Sequence, residues 1–430
     1  MTRKAYDTFY EVIVLGAGMV GASVACALGQ AGMRVALVDS AFPSSYVPGS
    51  VPDVRVSAIS PASADFLRGL GVWSAIEAAR CCSYRELAVW EELTTPPPFR
   101  SFSARRWNRT LFDSREAGVD SLGYIVENHI IQQALHQVLS CLDNVDVLIP
   151  AVARRVSRDA RQVSVRLGEN TELVGRLVVG ADGAGSFVRR ESGIGAFSMS
   201  YQQRALVATV SLASAPPDRT WQAFRATGPL AFLPLASSGG TSYASLVWYD
   251  LPESVSRLVA LAPTAFLDAV RQAFPEELPD MTGLVERRSF PLACSHAHHY
   301  VRQGVVLVGD AAHTINPLAG QGANLGFQDA VTLARILERG WRQGRDIACV
   351  SLLEEYEKLC RPRNLLMQAI MDGLYRLFSN DALSLKVVRN LGLAVAGRFP
   401  AGRRQVMRYA MGDEFELRLP GFGSSPHFRE

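Results

Sequence analysis

The sequence predicts a mixed α/β fold in which a parallel, Rossmann-type unit is interleaved with a β-rich unit and followed by helices. Three observations predict it. The chain opens with a strand, a glycine-rich turn and a helix; two further strand-to-turn transitions come at 175–190 and 305–324; and residues 201–300 contain aromatic-rich strands. Alternating strand and helix patterns are typical of a parallel sheet, whereas consecutive strands favour a separate antiparallel sheet.

Length and composition are those of a globular enzyme. A chain of 430 residues exceeds the usual size of a single hydrophobic core, and 48% hydrophobic with 20% charged residues is far from a disordered composition. A net charge of +3 gives no indication of nucleic-acid binding. The seven cysteines form no Cys-x-x-Cys pair, which favours reduced thiols over disulfides or a zinc site.

An uncharged run at 12–29 follows Arg3 and Lys4 and could resemble a signal peptide. Asp7 and Glu11 separate the basic pair from the run, and a second strand follows it directly. We therefore expect a buried strand, turn and helix and a cytoplasmic protein. No other segment combines the uncharged length of a membrane span with a continuous apolar character.

The first element is the segment EVIVLGAGMVGASVACALGQAGMRVALVDS. It contains the spacing G-x-G-x-x-G at Gly16, Gly18 and Gly21, between a strand and a helix. Such glycines allow a tight turn and the close approach of a pyrophosphate to the free N–H groups of the helix. Asp39 ends the second strand, where a carboxylate meets a ribose hydroxyl. A dinucleotide site is predicted, with NAD and FAD both open.

Two later segments repeat the change from strand to glycine-rich turn. GRLVVGADGAGSFVRR places Asp182 and Gly183 after a strand. VVLVGD is followed by Gly320, Gly322 and Asn324, at the start of a further helical pattern. Each segment alone is an ordinary turn, but their combination with the N-terminal spacing is much more specific.

With these three motifs the chain resembles the p-hydroxybenzoate-hydroxylase-like flavoprotein monooxygenases. The resemblance implies FAD as the cofactor, NAD(P)H as the reductant and a p-hydroxybenzoate-hydroxylase-like fold. The implied FAD-binding residues are Gly16, Ala17, Gly18, Met19, Val20, Gly21, Asp39, Arg55, Asn128, Asp182, Gly183, Gly309, Asp310, Pro317, Gly320, Gly322, Ala323 and Asn324. Asp39 would hold the ADP half, Asp310 the ribityl and pyrophosphate region, and Ala323 and Asn324 the flavin ring. The Asp182–Gly183 motif is associated in the family with both FAD and NADPH.

Within that family, PDVRVSAISPAS, LGYIVENHIIQQALHQVL and VGDAAHTINPLAGQGANLGFQDA resemble the ubiquinone-biosynthesis hydroxylases over nearly the whole chain. This implies a demethoxy polyprenyl benzoquinol as substrate and O2 as the oxygen source. The chain departs from the pattern at 94–109, which looks longer, and in the tail from Gly412. Another ring hydroxylation of the same pathway, a polyprenyl reductase and a non-catalytic member of a biosynthetic complex stay open as alternatives.

Candidate catalytic residues are few, because this chemistry depends on flavin and positioning. His313 is either a polar group near the flavin or substrate mouth, or a histidine bonded to its own loop. Pro317 matches a family position whose carbonyl faces the reacting oxygen, or it only makes the turn rigid. No general base is assigned. His296, His298 and His299 lack partner carboxylates in sequence, so we expect no metal.

The substrate pocket is expected against the strands of 201–300. Phe232, Pro234 and Trp248 are its candidate wall residues, with an ordinary core position as the alternative.

The C-terminal region is basic and apolar. Residues 365, 366, 369, 370, 374, 377 and 378 share one helical face, and 361–411 holds nine Arg or Lys against Asp372 and Asp381. Such a segment suits contact with a membrane surface or a partner of the biosynthetic complex, or docking onto the protein's own sheet. No nucleic-acid motif accompanies it.

The predicted domains are discontinuous. An FAD domain takes 1–84, 122–190 and 300–360, a β-rich substrate domain takes 85–121 and 191–299, and 361–430 forms C-terminal helices and a tail.

Overall fold

The computed structural model describes residues 9–92, 109–159, 161–169, 171–275, 278–317, 320, 322–378, 407 and 411. The departures noted at 94–109 and from Gly412 therefore lie almost wholly outside the described residues. The described parts contain two eight-stranded sheets, a three-stranded sheet and ten α-helices, numbered below in chain order. The mixed α/β fold that the sequence predicts is confirmed.

The first sheet is mainly parallel and carries the glycine-rich turns. Its strands are β1 (Phe9–Leu15), β2 (Val35–Val38), β8 (Val145–Leu148), β9 (Ala153–Arg158), β10 (Val163–Leu167), β11 (Thr171–Gly180), β17 (Val301–Arg302) and β18 (Val305–Leu307). The order is β17-β18-β11-β1-β2-β8, with β10 paired to β11 and β9 paired to β10. Leu15 pairs with Gly180, and Gly180 with Leu307, so three parallel strands end at the same level.

The second sheet is mostly antiparallel. Its strands are β5 (Glu86–Glu91), β6 (Thr110–Asp113), β12 (Ala196–Leu212), β13 (Arg219–Phe224), β14 (Leu230–Ser238), β15 (Thr241–Asp250), β16 (Met281–Ala297) and β19 (His313–Thr314), in the order β19-β16-β12-β15-β14-β13-β5-β6. The three-stranded sheet of β3 (Val56–Ile59), β4 (Cys82–Tyr84) and β7 (Gly123–Glu127) has the order β3-β7-β4. This small sheet and the second sheet both contribute walls to one cavity.

Ten helices cover the sheets: α1 (Met19–Gln30), α2 (Pro61–Gly69), α3 (Trp73–Ala79), α4 (Ser114–Ala117), α5 (Asn128–Leu139), α6 (Phe187–Glu191), α7 (Pro252–Ala260), α8 (Pro263–Ala273), α9 (Gly322–Arg342) and α10 (Val350–Phe378). The uncharged N-terminal run forms β1 and α1, whose apolar side chains belong to the largest core cluster. Within the described ranges, no helix has both the length and the apolar character needed to cross a bilayer.

A buried ion pair fixes the segment that leads into β3. The Arg80 guanidinium donates to both carboxylate oxygens of Glu127, at 2.6 and 2.9 Å, and both side chains are 4% exposed. Glu127 also accepts from the Asp53 N–H at 2.7 Å, while Arg80 donates to the Ser50 carbonyl at 2.5 Å. Through these hydrogen bonds the ion pair holds residues 50–53 in place. Loss of either partner would leave the other charge buried and unpaired.

Candidate flavin site and substrate cavity

The three glycine-rich turns meet at one edge of the first sheet. The Ala181 N–H donates to the Leu15 carbonyl at 2.8 Å, and the Val308 N–H donates to the Gly180 carbonyl at 3.0 Å. Gly16 has φ +105°, and a Cβ atom there would lie 2.3 Å from the Ala181 carbonyl oxygen. The first turn therefore packs so closely on the second that only glycine fits.

The N-terminus of α1 is built for an anion. Gly18 caps the helix without a side-chain hydrogen bond, and the first turn carries no acidic residue. A Cβ on Gly18 would meet only Gln132 Nε2, at 3.8 Å, whereas one on Gly21 would lie 1.9 Å from the Gly16 carbonyl oxygen. Free N–H groups beside open space can receive a pyrophosphate. Met19 and Val20 form the helix start, and Val20 packs against Gly309.

Asp39 lies at the carboxyl end of β2, facing the first turn. Its Oδ2 accepts the Ala17 N–H at 2.6 Å, and its Oδ1 accepts the Ser40 N–H at 2.6 Å. The carboxylate is only partly buried, so it keeps capacity to accept a further bond from a ribose hydroxyl.

The central motif acts as a helix cap. Asp182 accepts the Ser186 hydroxyl at 2.5 Å and the N–H groups of Phe187 and Val188 at 2.6 and 3.0 Å. Gly183 has φ +79° and faces open space. The Arg189 guanidinium donates to the Ala311 carbonyl at 2.6 Å and thereby joins this turn to the third one.

The third turn presents Asp310. Gly309 to Ala311 form a 3-10 turn in which Gly309 has φ +57°. The Asp310 side chain is exposed to solvent, yet the loss of water to the surrounding protein raises the pKa of its carboxyl, and the nearby charges of His313 and Arg55 oppose that rise. It is placed to accept hydrogen bonds from ligand hydroxyls.

The loop before α9 returns over β3. Gly320 has φ +63°, and a Cβ there would lie 3.2 Å from the Ala58 Cβ, whereas Gly322 faces open space. The Asn324 side chain accepts the Ser60 N–H at 2.9 Å and donates to the Ala58 carbonyl at 2.8 Å. Asn324 thus ties α9 to β3 through its side chain, and the adjacent Ala323 packs at the edge of the core. Residues 318, 319 and 321 lie outside the described residues.

Arg55 and Asn128 are neighbours on the facing side. The Asn128 N–H donates to the Arg55 carbonyl at 3.0 Å, and the Asn128 Oδ1 accepts the Ser57 hydroxyl at 2.7 Å. Both residues also line the cavity described next, together with Pro317 and Gly320. The turns and the cavity therefore share a boundary.

The cavity has a volume of about 900 Å³ and lies between the second sheet, β3, β7 and α10. Apolar side chains dominate its lining, among them Val56, Leu87, Val89, Phe112, Ile125, Val207, Ala231, Leu233, Val247, Leu292, Met367 and Met371. Arg55, Asn128, Thr220, Gln222 and Ser245 are polar lining residues, and no Asp, Glu or His is among the described residues that line the cavity. It can hold an apolar ligand with a few polar groups.

Two tyrosines complete the lining. Burial raises the pKa of Tyr84 to about 12 and also raises the pKa of Tyr249 well above its ordinary value. Both phenols stay protonated at neutral pH, so they can donate hydrogen bonds to a ligand but cannot act as bases.

Phe232, Pro234 and Trp248, the wall residues predicted from the sequence, are not among the described residues that line this cavity. Phe232 and Trp248 belong to the core cluster beneath α7 and α8, and Pro234 is buried outside the lining. Side chains along a strand alternate between faces, so the residues that face the cavity on β14 are the intervening Ala231 and Leu233. The core alternative describes all three residues.

Of the two candidate catalytic residues, only Pro317 lines the cavity. His313 is 2% exposed, and its Nε2 lies 2.6 Å from Asp329 Oδ2 on α9, so it faces neither the cavity nor only its own loop. The three-histidine segment is divided as well. His296, on β16, is buried beside Tyr300, while His299 is half exposed beside Glu357. Among the described residues, no group of acids, histidines or cysteines could hold a metal ion.

Sequence reasoning missed the contribution of α10 and the buried acid Asp329. Six residues of α10 line the cavity: Leu366, Met367, Ile370, Met371, Leu374 and Phe378. Their helical spacing was visible, but not the surface that they cover. Asp329 carried a local signal, because it lies in line with Leu325, Leu333 and Leu337 on the apolar face of α9.

The turns fit FAD. They offer an uncapped helix N-terminus without acids, glycines in contact with the neighbouring turn, a carboxylate at each end and an apolar cavity at the far edge. A fold and a site of this kind define the FAD-dependent monooxygenases.

Comparison with known proteins agrees. Residues 9–369 match the family model described as FAD binding domain. The chain is 40% identical to the 3-demethoxyubiquinol 3-hydroxylase of Escherichia coli, over 94% of this chain and 98% of that protein. It is 33% identical to the human mitochondrial ubiquinone biosynthesis monooxygenase COQ6, over 94% of this chain and 93% of that protein. The chain belongs to this FAD-binding family and, within it, to the ubiquinone-biosynthesis hydroxylases.

Among solved structures, p-nitrophenol 4-monooxygenase PnpA from Pseudomonas putida is similar in fold. The TM-score is 0.76 at 19% identity, covering 95% of this chain and 99% of that one.

Proposed function

We propose that the protein hydroxylates the ring of a demethoxy polyprenyl benzoquinol. One observation carries the proposal: the apolar cavity begins at Arg55, Asn128, Pro317 and Gly320, which are also candidate flavin-site residues. A quinol ring in the cavity would thus lie next to the cofactor, and the names of the sequence relatives favour a ubiquinone precursor.

The balance of the reaction is that of a monooxygenase. NAD(P)H supplies two electrons, one atom of O2 enters the ring in place of a hydrogen, and the other atom leaves as water. Bound FAD would supply the chemistry that activates O2. The chain's part is to bind and orient the ring and to exclude water with its apolar lining, since water would intercept reactive species. The ring's own oxygens already make it electron-rich, which suits a cavity without a described acid or histidine.

The test is oxygen transfer itself. Purified protein with FAD, NAD(P)H and a short-tailed demethoxy benzoquinol should give a product with one added oxygen atom, labelled when 18O2 is supplied. Ala231→Phe, which fills the cavity floor, should abolish the product, whereas Ala213→Phe at an exposed position should not. Oxygen at a different ring position would favour another step of the pathway. A saturated tail without oxygen would favour a reductase, and no NAD(P)H oxidation would favour the non-catalytic alternative.

We extend the proposal to a peripheral location of the protein at a membrane surface. Leu359, Leu365, Leu366 and Ile370 on α10 are 61%, 38%, 41% and 36% exposed, and the last two also line the cavity. A polyprenyl tail could pass between the bilayer and the cavity along this edge, where apolar and basic side chains suit an anionic lipid surface. Residues 379–406 of the basic segment lie outside the described residues, as does most of the tail.

A further inference from the structure

A single buried carboxylate lies behind the cofactor turn. Asp329 on α9 is fully buried. Its Oδ2 accepts the Gly309 N–H at 3.1 Å and the His313 Nε2 at 2.6 Å. Its Oδ1 accepts the Arg363 Nη2 at 2.8 Å and the Asn364 Nδ2 at 3.0 Å. Both oxygens are therefore engaged, each by two donors.

The surroundings keep this carboxylate ionised. Burial alone would raise the pKa of Asp329, but His313 and Arg363 beside it, with the hydrogen bonds they and Asn364 donate, hold the pKa below its ordinary value. A buried charge with four donors is stable, whereas one that loses its cation is costly.

The four donors come from two functional regions. Gly309 and His313 flank Asp310 in the third turn of the candidate flavin site. Arg363 and Asn364 lie on α10 within one helical turn of Leu366 and Met367, which line the substrate cavity. The link continues from Asn364 to the Tyr300 hydroxyl, at 3.4 Å.

We propose that Asp329 is a positioning residue that holds the flavin turn and the cavity helix α10 in a fixed relation. It touches neither cofactor nor substrate, and acts through Gly309 and His313 on one side and Arg363 and Asn364 on the other. The proposal rests on FAD binding at the three turns and not on which ring is hydroxylated.

The sharpest test changes α10 and measures FAD. Arg363 lies outside the three turns, so its replacement can weaken FAD binding only through Asp329. We expect Arg363→Met to raise the FAD dissociation constant at least about tenfold, which corresponds to about 1.4 kcal/mol. Arg363→Lys should recover part of the affinity. Lys358→Met removes an exposed cation from the same helix and should stay within about twofold of the wild type by this reasoning. Titration of apoprotein by quenching of FAD fluorescence, corrected for the folded fraction by circular dichroism, gives the values.

The reciprocal test changes the turn and measures the cavity. With FAD saturating, His313→Ala should weaken binding of a decyl benzoquinone, followed by quenching of tryptophan fluorescence since Trp221 lines the cavity. His313→Gln keeps a donor for Asp329 and should bind the quinone more tightly than His313→Ala.

Wild-type FAD affinity in folded Arg363→Met, equal weakening by Lys358→Met, or unchanged quinone binding in His313→Ala would each overturn the proposal. Wild-type protein that binds FAD but makes no hydroxylated product would instead contradict the proposed function and leave these dissociation constants meaningful. Asp329→Asn is a useful third variant, and the test does not depend on its folding.

Discussion

At the scale of single residues, substitutions at Gly18 and Gly21 should distinguish an effect on cofactor binding from an effect on folding. A methyl group on Gly18 meets protein only at 3.8 Å, and its φ of −65° suits any residue, so Gly18→Ala should fold normally. The added methyl would, however, occupy the space where a pyrophosphate approaches α1. We expect FAD affinity to fall by at least about tenfold, or about 1.4 kcal/mol, measured by fluorescence titration.

Two matched glycine substitutions test the interpretation. Gly21→Ala would place a methyl 1.9 Å from the Gly16 carbonyl oxygen and should destabilise the apoprotein itself. Gly373→Ala, on α10 with nothing within 4 Å, should raise the free energy of unfolding by about 0.5–1 kcal/mol. Unchanged FAD affinity in Gly18→Ala would mean that the cofactor does not approach this helix.

A second residue-scale prediction concerns pH. Burial lowers the pKa of His296 to about 4, against about 6.5 in an unfolded chain. The unfolded state binds more protons between these values, so the stability from the neutral imidazole is present above about pH 6.5 and is lost as the pH falls towards 4. His296→Gln should therefore show a shallower loss of unfolding free energy over this range in urea titrations. Parallel profiles for the two proteins would contradict the assignment.

At the scale of elements, α10 has two apolar surfaces with different tasks. Its inner surface packs on the second sheet, where the Phe378 and Phe224 rings stack at 4.1 Å. Its outer surface exposes Leu359 and Leu365, neither of which lines the cavity. Leu359→Glu with Leu365→Glu should reduce flotation with anionic phospholipid vesicles but preserve turnover of a short-tailed quinol.

The control places the same charges away from α10. Val47 and Val51 are 59% and 57% exposed, and changing both to Glu should leave flotation unaltered. Equal loss of flotation in both double variants would argue against a specific lipid-facing surface on α10.

What the sequence could predict differs between elements for a physical reason. The first turn was readable because strand, glycines, helix and Asp39 are contiguous and each has a local conformational cause. The sequence did not show which face of β14 and β15 meets the cavity, because both faces are apolar. One face packs on α7 and α8, and the other lines the cavity. Asp329 depends on donors 20 and 34 residues away, so its environment exists only after folding.

At the scale of the whole molecule, the register of the first sheet creates the site. Leu15, Gly180 and Leu307 lie side by side at the ends of β1, β11 and β18, although nearly 300 residues separate the first from the last. Parallel pairing therefore brings three distant turns to one edge, where open α/β sheets bind ligands. The domain boundaries inferred from the sequence stay a prediction. They place 300–360 in the FAD domain, yet β19 at 313–314 pairs with the second sheet and not with the first.

This arrangement predicts that FAD stabilises the whole fold. A ligand that binds only the folded state at 100 times its dissociation constant adds about 2.7 kcal/mol. For a chain of 430 residues, an unfolding entropy of about 2.1 cal/mol/K per residue converts that into a rise of about 3 °C in Tm. Differential scanning fluorimetry should show this rise for the wild type and a smaller one for Gly18→Ala at the same FAD concentration. A site assembled from β1, β11 and β18 is lost when any of these strands separates, so FAD should raise the temperature of a single melting transition. Two separate transitions, of which FAD raises only one, would mean that the turns and the cavity unfold independently.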